Sequence, residues 1–87
     1  MEHSGRNIPN RLRQYRRLAG LRQKDVAQFL DMKCRSRISR WERGEIMPSG
    51  ETLLKLSVLY NTLPNELYRE LVKEFRDKYS SRKNKGN

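Results

Sequence analysis

Arg37 and Arg40 stand three residues apart, a spacing that puts two guanidinium groups on one side of a helix. Each fork offers paired N–H donors that match guanine O6 and N7, or two phosphate oxygens. They belong to a cluster, Lys33, Arg35, Arg37, Arg40 and Arg43, which follows an earlier one of Arg6, Arg11, Arg13, Arg16, Arg17, Arg22 and Lys24. Residues 1–43 hold twelve basic and four acidic side chains, whereas residues 44–87 hold eight and six. The formal charge of +10 therefore gathers in the first half, where it would attract a polyanion and release its counterions. Charge alone also leaves open a merely solubilising surface, an RNA or a membrane surface.

Covalent chemistry has little to work with. Cys34 is the single cysteine and His3 the single histidine, so no intrachain disulfide and no zinc ligand set can form. Cys34 has no local base, and no glycine loop is spaced to cradle a phosphate. The sequence thus predicts a binding protein, not an enzyme, with no cofactor and no metal. Neither a signal-like apolar run nor a stretch long enough to span a bilayer occurs. The expectation is a cytoplasmic protein with no membrane partner, associated with the nucleoid when bound to DNA in a bacterial host.

These side chains need short helices to hold them. Ile8, Leu12, Tyr15 and Ala19 recur at spacings of 4, 3 and 4, one face of a first helix capped by Asn7, with Pro9 in its first turn and Gly20 as its stop. A second helix near 23–30 turns Val26, Ala27 and Leu30 inward, with Asp25 at the positive end of its dipole. Asp31-Met32-Lys33-Cys34 reads as a connection. A third helix over about 35–43 buries Ile38 and Trp41 and ends at Gly44. Ser49 caps a fourth, which sets Leu53, Leu56 and Tyr60 on one face, reinforced by Leu54 and Leu59, and which Asn61 closes. Pro64 opens a fifth, along which Leu67, Leu71 and Phe75 repeat every four residues. The organisation predicted is a loose arm over 1–6, an all-α domain of five helices over 7–75, and a polar basic extension over 76–87 with nothing to bury.

The run Leu21 to Leu30 is similar to the first half of the helix-turn-helix in lambda-repressor-like (Cro/Xre-type) DNA-binding domains. Ile38-Ser39-Arg40-Trp41-Glu42-Arg43-Gly44 resembles the end of their recognition helix, and Pro48 to Leu56 their fourth helix. Arg16 and Asn65-Glu66-Leu67 also fit, so the resemblance covers about residues 8–68. It implies a compact five-helix fold whose helices 2 and 3 form the helix-turn-helix, and a transcriptional regulator, a repressor sooner than an activator. It implies that Arg35, Ser36, Arg37 and Arg40 face bases and nearby phosphates, that Gln23 contacts a phosphate, and that Arg43 lies near the backbone. It also implies that Arg16 and Glu42 tie helix 1 to the end of helix 3. Lys24, Arg11, Arg13 and Arg17 are further phosphate candidates by charge and position. Two departures stand out: Arg22 replaces the usual Thr or Ser cap, and the stretch between Leu30 and Ile38 has seven residues where six, opening with glycine, is commonest. Because Leu30, Ile38 and Trp41 stay apolar on either side, the extra residue is assigned to the turn.

Double-stranded DNA is accordingly the expected partner. An RNA-binding module is the nearest competitor, weakened because no aromatic platform for unpaired bases is evident. An antitoxin-like protein-interaction module that also binds DNA is the other. A homodimer through helices 4 and 5 is expected on DNA, because one recognition helix reads only a few base pairs. Phe75 and Tyr79, lying beyond the core that Leu67 and Leu71 complete, are its candidate surface, with Tyr68 and Val72 on neighbouring positions.

Overall fold

Every helix sends at least one side chain into a single apolar cluster. The computed structural model describes residues 7–86, with side chains through residue 80. Among them lie six helices: α1 (Leu12–Leu18), α2 (Gln23–Phe29), α3 (Ser36–Glu42), α4 (Gly50–Leu59), α5 (Pro64–Leu67) and α6 (Arg69–Gly86). The cluster consists of Leu12, Val26, Ala27, Ile38, Trp41, Leu56, Tyr60, Leu67, Tyr68 and Leu71. Leu12, Val26, Ile38, Leu56 and Leu67 are fully buried, each contributing about 1.5–3 kcal/mol by leaving water. The arm expected over 1–6 lies outside the described residues.

The first four helices stop in the same way. Gly20, Asp31, Gly44 and Asn61 have φ of 76°, 59°, 78° and 56°, so each turns the chain left-handed just past a helix end. Each donates its amide to the carbonyl three back, and the next residue donates to the carbonyl five back: Gly20 and Leu21 to Arg17 and Arg16, Asp31 and Met32 to Gln28 and Ala27, Gly44 and Glu45 to Trp41 and Arg40, Asn61 and Thr62 to Val58 and Ser57. This is the Schellman motif, which satisfies carbonyls the helix itself leaves unpaired. Asp31 here stands where the resembled family most often has glycine. The turn between α2 and α3 absorbs the extra residue, and Ile38 and Trp41 both stay buried.

Two expectations are corrected. The first helix begins at Leu12, not beside Asn7 and Pro9, because Asn10 takes over its start: the Asn10 Oδ1 accepts the Leu12 amide at 3.1 Å. The long fifth helix is two helices. At Tyr68 (φ −126°, ψ 44°) it breaks, since the Leu67 carbonyl, which an unbroken helix would give to residue 71, accepts the Arg11 amide at 2.8 Å. The basic extension from 76 onward is helical, with α6 running through it to Gly86. No proline and no glycine before Gly86 interrupts α6, and Lys73 pairs with Asp77 one turn on at 3.2 Å.

Candidate nucleic-acid interface

Burial of Ile38 and Trp41 decides which way α3 points. With one side of the helix fixed in the core, Ser36, Arg37 and Arg40 are left exposed on the other, and Arg43 follows just past its end. Arg35 caps the helix by backbone geometry alone. Ser36 does not cap; its Oγ lies 3.1 Å from the Cys34 Sγ, and this contact lowers the Cys34 thiol below its ordinary pKa. Glu45 braces the far end. Its Oε1 accepts from Arg40 Nε at 3.3 Å and its Oε2 from Arg43 Nε at 2.7 Å. Arg43 Nη1 also donates to Ser39 Oγ at 2.6 Å, and the Arg43 bond holds the Glu45 carboxyl below the usual carboxylate range.

A buried network sets α3 against α1 and α2. Arg16 Nε donates to Glu42 Oε2 at 2.6 Å and Nη2 to Oε1 at 3.2 Å, while Nη1 reaches the Leu21 carbonyl at 2.8 Å. The two side chains are 9% and 4% exposed. Gln23 Nε2 donates to the same Glu42 Oε1 at 3.0 Å, so the amide expected at a phosphate is tied into this network through its nitrogen. Arg16 is kept charged by the Glu42 hydrogen bond against the opposing effect of burial.

Around the network the arginines converge. Arg13 of α1, Gln23 of α2, and Arg35, Ser39 and Arg43 line an open groove of about 460 Å3, with Arg16 and Glu42 beneath them. Lys24 lies on another groove with Lys33, Cys34 and Arg35, and Arg17 of α1 lines a third with Arg11 and Arg13. Arg11 is held in an ion pair with Glu70 at the base of α6. What this arrangement offers a ligand is a row of exposed donors on α3 together with two positively lined grooves that share Arg35, suited to a polyanion whose charges repeat. Among the described residues, no group of three or more His, Cys, Asp or Glu could hold a metal ion, and no helix is long and apolar enough to cross a membrane.

Nothing in the residue pattern pointed to Asn10. Its Nδ2 lies 3.3 Å from both the Trp41 and Glu42 carbonyls and 3.1 Å from that of Ile8, while the Ile8 amide donates to the Gly44 carbonyl at 2.8 Å. Residues 8–10 thus form a strap that supplies donors to the negative end of α3. Gly44 is closed in by it: a Cβ there would lie 2.3 Å from the Ile8 oxygen. Glu45 was also missed, although an acid two residues beyond one arginine and five beyond another is the one available signal.

No curated protein and no solved structure matches the chain. A family model described as helix-turn-helix matches residues 12–67, a span that runs from the first residue of α1 to the last of α5. With these five helices inside the match, and the arginines of α3 at its centre, the chain belongs to the helix-turn-helix family.

Proposed function

We propose that the chain is a lambda-repressor-like (Cro/Xre-type) regulator that binds double-stranded DNA by sequence and represses transcription. The observation that carries this reading is the exposed row of Arg37 and Arg40 on a helix whose opposite side is locked by Ile38, Trp41 and the Arg16–Glu42 pair. In this reading α2 and α3 are the helix-turn-helix and α3 enters the major groove. Arg40, Arg37 and Ser36 read base edges, and Arg35 works from the groove it shares with Arg13 and Arg43, where phosphates lie. Gln23 contributes its free carbonyl end and the N-terminus of α2, with Lys24 and Arg17 flanking. Arg11, engaged with Glu70, contributes through the field alone. The protein acts by binding, without catalysis or cofactor, in the cytoplasm, and two copies occupy half-sites about 34 Å apart by meeting through α4 and the α5–α6 region.

Selection from a random duplex library tests the proposal. One enriched motif is expected, with log affinity falling steeply against log salt as counterions are released. A library that returns no motif, or tighter binding to an RNA competitor, would refute it.

A further inference from the structure

Among the described residues, two clusters of large apolar side chains face solvent. One is a groove of about 440 Å3 between α2 and α4, lined by Phe29, Leu30, Leu54, Val58 and Leu59 with Lys55 at its edge. Phe29, Leu54 and Val58 are 65%, 57% and 82% exposed. The other is on α6, where Phe75 and Tyr79 are 44% and 56% exposed, their ring centroids 6.2 Å apart. Apolar area concentrated in this way marks an interaction surface, the more so in a chain that is only 34% hydrophobic.

Helix α6 needs a surface to lie on. Residues 73–80 are all exposed, so this stretch of helix buries no residue in its own chain. A helix of that length is marginal in water without packing on one face.

Charge indicates which surface it is. Lys55, the one charged residue that lines the groove, is paired with Glu51 at 3.4 Å, and the acidic Asp31 adjoins Leu30 of the groove. In a chain of formal charge +10, this is the face that does not repel a cationic helix. Beyond Phe75, α6 offers Arg76 and Lys78 against Asp77, with the Lys78 ammonium 5.9 Å from the Tyr79 ring centroid.

We propose that two copies of this chain exchange α6, Phe75 and Tyr79 of each seating in the Phe29–Leu54–Val58 groove of the other, with Arg76 and Lys78 facing its acidic flank. The contact is reciprocal and closes as a two-fold dimer. No residue of α3 lines the groove, so both reading helices stay open to DNA. This deepens the dimer part of the function proposed above and rests on it only for the use the dimer serves.

Sedimentation equilibrium of the full chain over a concentration series, with and without duplex, tests the exchange. A monomer–dimer equilibrium is expected, with the dissociation constant raised at least about tenfold in Val58→Glu and in Tyr79→Glu. Both side chains are exposed, and a thermal melt checks that each variant folds; Leu54→Glu repeats the groove test at a second position. Mixing the groove variant with the α6 variant leaves one intact contact of the two, so the mixture should associate more tightly than either variant alone. A wild-type chain that stays monomeric free and on duplex, a dimer indifferent to Tyr79→Glu, or a mixture with no gain would each overturn the exchange. Binding of Val58→Glu to a duplex carrying one half-site reports the DNA reading separately, because it needs no second copy.

Discussion

At the scale of single residues, position decides whether like side chains do like work. Gly20 and Gly44 both sit at positive φ, but a Cβ at Gly20 meets nothing within 4 Å, whereas one at Gly44 strikes the Ile8 backbone. Gly20→Ala should cost about 1–2 kcal/mol from the left-handed conformation alone. Gly44→Ala adds displacement of the strap, about 1–3 kcal/mol more, and should also weaken DNA binding; denaturant titration and duplex binding of the pair check both statements. Arg40 and Lys24 differ likewise, one on the outward side of α3 and the other at the start of α2. Arg40→Ala should change the selected motif, costing about 1–3 kcal/mol at one base position. Lys24→Ala should leave the motif intact and reduce the salt slope by about 1. An Arg40→Ala protein that selects the wild-type motif would make Arg40 a phosphate contact.

Between elements, long-range polar contacts aim α3. Removing one partner of a buried ion pair strands the other, so Glu42→Ala should destabilise by about 3–5 kcal/mol and lower the melting midpoint by at least about 12 °C. Glu70→Ala, which releases Arg11 at a solvent-exposed pair, should barely move it. Asn10→Asp separates the two jobs of Asn10: a carboxylate still accepts the Leu12 amide but cannot donate to the Trp41 and Glu42 carbonyls. Helix content should persist while duplex affinity falls about tenfold, the loss of one to two net hydrogen bonds; unchanged affinity would show that the strap does not position α3. The sequence made the local part of this legible. The apolar spacing located α2, α3 and α4, and Gly20, Gly44 and Asn61 announced their left-handed turns by residue type. The pairing of Arg16 with Glu42 was available from the family resemblance. The strap, the break at Tyr68 and the Gln23–Glu42 bond were not, because each depends on a partner far along the chain and leaves no periodic trace. Leu54 was set with the core-facing residues of α4, but it is 57% exposed; a leucine's side of a helix depends on what packs there, which spacing alone does not record.

For the whole molecule, the core holds two tyrosines that must stay neutral. Burial raises the Tyr68 phenol from its ordinary 10 to about 12 and raises Tyr60 as well. The stability that neutral Tyr68 lends is therefore complete below about pH 10 and is lost as the pH rises through about 12, while that of Tyr60 is lost at still higher pH. Denaturant midpoints measured over that window should decline, and Tyr68→Phe should shallow the decline; a flat wild-type profile would contradict the assignment. The turn between α2 and α3 bears on a longer timescale. Helix α2 finishes on its own carbonyls at Asp31 and Met32, and α3 takes its bearing from Ile38, Trp41 and Glu42, so neither helix measures the length of what joins them. Met32 packs against the core, but a residue gained or lost after it, before α3 begins at Ser36, changes no helical register and leaves the buried Ile38 and Trp41 in place. Turn length is thus a trait that descent can vary while the aim of the reading helix is inherited intact.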